Sequence, residues 1–198
     1  LSFGDYNRHW SYYLAIENQL NETSRFVEFS EANSATYSIE FARILLSAAS
    51  ETDVILRQLC KLLDSDAAAD KIGPYQTVIN RYLPEMAQEI IYIDRYSIEL
   101  RPWENFTSPG LPPTWWTANN KVKHHRHTNF HDASLRNAMH AVGALHILII
   151  YYYKKQFEIE SGNRVRFGEV TNVLQPTASL YSMNPGYYGR RRVTHSDY

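Results

Sequence analysis

Asn120, His124, His127 and His131 follow one another at spacings of four, three and four residues. On one straight helix across 115–131 they would form a single stripe. An asparagine fixes a histidine tautomer or binds a substrate oxygen, and a histidine exchanges protons near neutral pH. Lys121, Lys123 and Arg126 stand among them and favour an anion. Together these residue types suit acid–base work on a phosphodiester. His124 would move the proton and Asn120 would orient the imidazole. The plainer alternative is a solvated cationic face with no chemistry.

Metal binding is a second reading of the same histidines. The chain has no HExxH arrangement, Cys60 is its one thiol and Asp132 is the one carboxylate inside the cluster. Neighbouring lysine and arginine charges oppose a divalent ion, so no metal and no cofactor are expected. A serine or cysteine nucleophile lacks support, because no GxSxG elbow exists and Cys60 sits among apolar neighbours.

The elements that must position the cluster are helical. Residues 34–64 carry Tyr37, Phe41, Ile44, Leu45, Ala48, Thr52, Ile55, Leu59 and Leu62 on one face, with Ser34 as a candidate cap. Glu51 lies at the edge of that face, where it can reach water or orient a cation on a neighbouring helix. An irregular amphipathic helix is expected over 8–29 and a short one over 75–83, ended by Pro84. Residues 89–100, EIIYIDRYSIEL, suggest a short hairpin around Asp94 and Arg95, with a helix continuing from Pro84 as the competing reading. Four prolines and Gly110 make 102–113 a loop. Thr114 is a candidate cap for the cationic helix, which would begin at Trp115. Asp132 or Ser134 caps a last long helix, apolar on nearly every side and running to about Glu160.

Past residue 160 the chain turns irregular, with Arg164, Arg166 and Arg190 to Arg192 among tyrosines. Cations mixed with aromatics can grip phosphates while stacking on bases, or simply decorate an arm packed on the bundle.

Charge is unevenly spread. Residues 1–100 hold 8 Lys/Arg against 15 Asp/Glu, and residues 101–198 hold 12 against 6. This polarity fits a basic face toward an anionic partner, or an acidic half meeting a basic half in a dimer. The longest apolar run is too short for a membrane span. The lone cysteine permits no internal disulfide, and no charged segment followed by an apolar one opens the chain; a cytoplasmic protein is expected. Whether residues precede Leu1 is left open.

Three segments carry a resemblance: NNKVKHHRH (119–127), TYSIEFARILL (36–46) and SETD (50–53). With a long apolar helix after an Asn-x-x-x-His element, they resemble the HEPN superfamily over roughly residues 8–160. That resemblance implies a mainly α fold, a four- to five-helix bundle that pairs its motif helices in a homodimer. On this reading residues 1–160 are the bundle, with an insert at 84–113, and residues 161–198 are a basic, aromatic arm. It also implies a metal-independent endoribonuclease of the toxin–antitoxin or antiphage kind, with RNA and an antitoxin or defence-system protein as partners. Asn120 and His124 match the family motif. The family's Arg is replaced by Asn119, which is neutral and cannot supply guanidinium charge. Lys123, Arg126 and Arg136 (in Arg-Asn-x-x-His with His140) are the basic residues nearest that role. Asn119, Lys121, His127 and Arg136 are expected around the substrate, with Glu51 supporting from behind. The alternative is a catalytically degenerate dimeric module that binds nucleic acid or a partner protein.

Overall fold

The computed structural model describes residues 7–108, 110–184 and 187, and it is mainly helical. Six helices follow in order among the described residues: α1 (Arg8–Thr23), α2 (Ile39–Leu63), α3 (Ile72–Tyr82), α4 (Thr114–Asn129), α5 (Leu135–Ser161) and α6 (Phe167–Val173). A two-stranded hairpin, β1 (Ile91–Ile93) and β2 (Ile98–Leu100), lies between α3 and α4. It is antiparallel, with Ile91 opposite Leu100 and Ile93 opposite Ile98. Ser97 closes its turn in the left-handed region at φ 53°.

Helix α5 is the axis of the molecule. Every residue from Ala141 to Tyr153 is buried, so the helix is enclosed on all sides. Ser134 caps it by accepting from the Asn137 amide (3.3 Å), and Gly162 ends it at φ 66°, a conformation glycine adopts without steric cost. Helix α2 packs along it through Phe41, Ile44, Leu45, Ala48, Thr52, Ile55 and Leu59, all buried. Each such aliphatic or aromatic side chain contributes about 1.5–3 kcal/mol when fully removed from water. The hairpin approaches α5 so closely that a Cβ on Gly143 would meet Ile91 Cγ2 at 3.0 Å and Tyr181 Cε1 at 3.4 Å. No helix of the described chain is long and apolar enough to cross a membrane.

Three expectations shift at the element ends. Helix α1 stops at Thr23 rather than continuing to 29, because Thr23 Oγ1 donates to the Leu20 carbonyl (2.6 Å) and Ser24 Oγ to that of Asn21 (2.7 Å). Such local bonds compete with the helical ladder. Phe26 is consequently left 85% exposed, while Phe29 returns to the core. Helix α2 begins at Ile39, and its cap is Ser38, which accepts from the Phe41 amide (3.0 Å). Ser34 and Tyr37 lie outside it, because 34–38 pairs with the segment entering α5: Leu135 N donates to Thr36 O (2.8 Å) and Arg136 N to Ser34 O (3.0 Å).

The 102–113 loop is pinned by indoles and amides. Trp103 Nε1 donates to the Ala144 carbonyl (3.1 Å) and Trp115 Nε1 to that of Pro102 (2.8 Å). Gln76 Nε2 reaches the carbonyls of Phe106, Ser108 and Leu111. Residues 174–184 lie against the bundle, with Leu174, Leu180, Tyr181 and Met183 buried and Trp10 Nε1 donating to Pro176 O (2.9 Å).

Candidate functional site

Helix α4 is regular from Thr114 to His124 and breaks at His125, whose backbone turns to φ −137°, ψ 39°. The His125 carbonyl accepts instead from Thr128 Oγ1 and Asn129 Nδ2, both at 3.1 Å. Side chains that compete for a carbonyl favour such a break. The single stripe expected for a straight 115–131 helix is therefore divided. Asn120 and His124 remain one turn apart on the regular half. His127 follows the break, and His131 sits in a 3-10 turn over Phe130–Asp132.

Trp115, Trp116, Ala118 and Val122 anchor the first half in the core. That leaves Asn120, Lys121, Lys123, His124, His125, Arg126 and His127 exposed. Asn119 points the other way; it is buried and donates from Nδ2 to Asn120 Oδ1 (3.4 Å). Lys121 lies 3.4 Å from Asp132, which is also 3.9 Å from His131. Among the described residues, Lys123, His124, His125, Arg126 and His127 have no carboxylate within ion-pair distance. Lys123 and Arg126 therefore present their charges to solvent among exposed imidazoles, where an anion can meet them.

Two other expected site residues are engaged elsewhere. Arg136 pairs with Glu31. Glu51 does orient a titratable group on a neighbouring helix, but that group is His9 of α1, bonded through Nδ1 at 2.5 Å. His9 also sets its ring edge-on to Tyr152 (5.4 Å). Cys60 is buried, and burial pushes its thiol up to about 12, where it does not act as a nucleophile.

No protein-family model, curated protein or solved structure matches this chain.

The chemistry of the site therefore rests on its own geometry, and the densest polar constellation lies away from α4. Glu17 is 1% exposed and its two oxygens collect five bonds. Ser179 N (2.9 Å) and Oγ (3.2 Å) donate to one oxygen. Leu180 N (3.0 Å), Tyr181 N (3.1 Å) and the Tyr13 hydroxyl (2.8 Å) donate to the other. The Tyr13 oxygen in turn lies 2.8 Å from His146 Nδ1. Because the Tyr13 proton is committed to Glu17, His146 must donate from Nδ1, which leaves Nε2 unprotonated and without a hydrogen-bond partner among the described residues. Burial lowers the His146 pKa to about 4, against a smaller opposing pull from Glu17. Neither Glu17 nor His146 stands out in the sequence as a site residue. The available signal was a carboxylate one turn after Tyr13 on the apolar face of α1.

A similar arrangement ties the end of α5. Glu89 accepts from the hydroxyls of Tyr151 and Tyr187, both at 2.7 Å, and burial beside that carboxylate drives both phenols above their ordinary range. Arg164 and Arg166 line an open cleft of about 410 Å³ with Lys154, Phe167 and Tyr187. The Arg190 to Arg192 run lies outside the described residues.

Proposed function

We propose that this chain is a HEPN-like module that engages RNA through the cationic turn of α4. One observation carries the reading: Lys123, His124, His125, Arg126 and His127 stand exposed on a helix whose other face is locked in the core, without ion-pair partners among the described residues. Two unneutralised cations, Lys123 and Arg126, set among hydrogen-bonding imidazoles fit the electrostatic footprint of a phosphate backbone. The charge imbalance between the two halves of the chain points the same way. Replacing Lys123 and Arg126 together by alanine should weaken RNA binding about ten-fold at moderate salt. The exposed positions predict unchanged thermal stability, so melting temperature serves as the control. Affinity equal to that of the parent protein would remove α4 from the interface.

A second reading, cleavage, is favoured by the Asn120–His124 pair, which stays one turn apart and exposed on the regular half of α4. In this reading His124 takes the proton of a ribose 2′-hydroxyl as that oxygen attacks the neighbouring phosphorus. The bond to the 5′-oxygen breaks, leaving a 2′,3′-cyclic phosphate, and the departing oxygen takes a proton from water while His124 returns its own to solvent. Lys123 balances the charge on phosphorus in place of the guanidinium missing at Asn119, and a second copy pairing its α4 across a two-fold axis encloses the strand. RNA incubated with the pure protein in EDTA should then be cut, and His124→Ala should slow cutting about a hundred-fold. Undiminished cleavage by that variant would reject His124 as the acid–base group.

A further inference from the structure

Resting on the RNA reading of α4, we infer that Tyr37 is a base-stacking platform that directs the surface toward unpaired, single-stranded RNA. Its spacing places Tyr37 on the core face of α2, yet it is 52% exposed and precedes that helix. Its position is nevertheless fixed. The Tyr37 backbone forms an antiparallel bridge with Ser134, and the flanking amides pair across it: Ser38 N with Ala133 O (3.3 Å) and Leu135 N with Thr36 O (2.8 Å). The ring is held edge-on against Phe130, with centroids 5.5 Å apart. An aromatic ring half in water, on a backbone stitched on both sides, loses little freedom when a base stacks on it.

The surroundings supply the phosphate half of the recognition. Phe130 is the residue on which α4 closes, and the exposed His131 follows it in the chain. Lys121 reaches back to the same turn through Asp132. Of the carboxylates near the start of α2, Glu31 is taken by Arg136 and Glu40 by Arg43, so neither is left to repel a nucleotide backbone. Ile39, 72% exposed, extends the apolar surface beside Tyr37. The cationic turn of α4, leading through Phe130 to a rigid exposed aromatic, fits a strand whose bases are splayed out. A base in a duplex offers no free face, and the A-form grooves hide its edges.

Fluorescence anisotropy with a short unstructured RNA, and with the same sequence annealed to its complement, tests this. The parent protein should prefer the single strand, Tyr37→Ala should lose roughly ten-fold in affinity for it, and Tyr37→Phe should stay within about two-fold. Duplex affinity should be unchanged by either substitution. Because the bridge to Ser134 is made by backbone atoms, both variants should fold, which circular dichroism verifies. Equal binding of both RNAs, with Tyr37→Ala indistinguishable from the parent, would overturn the platform and leave the α4 reading standing. Failure of the parent protein to bind either RNA would overturn both.

Discussion

Glu17→Ala is expected to cost about 4 kcal/mol of folding stability, the largest effect of any single substitution argued here. The carboxylate is the shared acceptor for three consecutive amides, at Ser179, Leu180 and Tyr181, and for the Tyr13 hydroxyl. Removing it strands three buried donors, at Leu180, Tyr181 and Tyr13, together with the two part-buried ones of Ser179. A buried donor left without its acceptor costs roughly 1–3 kcal/mol, so several stranded together exceed the net value of the bonds themselves. Against a typical domain stability of ~5–15 kcal/mol this is a large fraction. Glu17→Gln keeps the shape but turns an amide NH2 toward donors, and should lose about half as much. Urea titration of the three proteins measures the series. The account also predicts faster proteolysis between residues 174 and 184, because those amides fix this segment on the bundle. A loss below about 1 kcal/mol for the alanine variant would mean that the clamp is not what secures it.

His146 gives the second large effect, and its direction follows from its surroundings. In the folded chain it is fully buried and neutral, with its pKa lowered to about 4 by burial, while an unfolded histidine titrates near ~6.5. The unfolded state therefore binds the extra proton first. Stability from this group is complete above pH ~6.5, declines as pH falls and is lost through about 4. Between pH 7 and pH 4 the loss attributable to His146 is about 3 kcal/mol. His146→Leu removes the titrating ring but leaves the Tyr13 proton on Glu17, so its stability should fall that much less over the same range. Denaturant midpoints at a series of pH values make the comparison. Parallel curves for parent and variant would show that the ring titrates as freely in the fold as in the unfolded chain.

The regular parts of the fold were legible because periodic burial writes itself into sequence. The apolar face of α2 and the all-round apolarity of α5 place both helices, Ser134 marks the start of the second, and alternating Ile and Tyr around Asp94 indicate the hairpin. What escaped depends on partners distant in the chain. Glu17 meets amides 162 to 164 residues away, and no local pattern announces them. Tyr37 continues the spacing of α2, so only its bridge to Ser134 removes it from that face. The break at His125 is set by Thr128 and Asn129 competing for one carbonyl, which a straight-helix projection cannot anticipate. Glu51 was legible as an orienting carboxylate, but its partner His9 was not, because the packing of α1 on α2 selects it.

The sequence alone also delivers the cationic run on α4, and the fold adds that its charges face outward with the tryptophans beneath them. Whether those charges meet phosphate is read most directly from the salt dependence of RNA binding by the parent protein. Three to four released counterions on a single strand predict a slope of about −2 to −3 for log Kobs against log salt, reduced by roughly one for Lys123→Ala with Arg126→Ala. Absent binding at low salt, or a slope near zero that the double substitution leaves unchanged, would contradict the account.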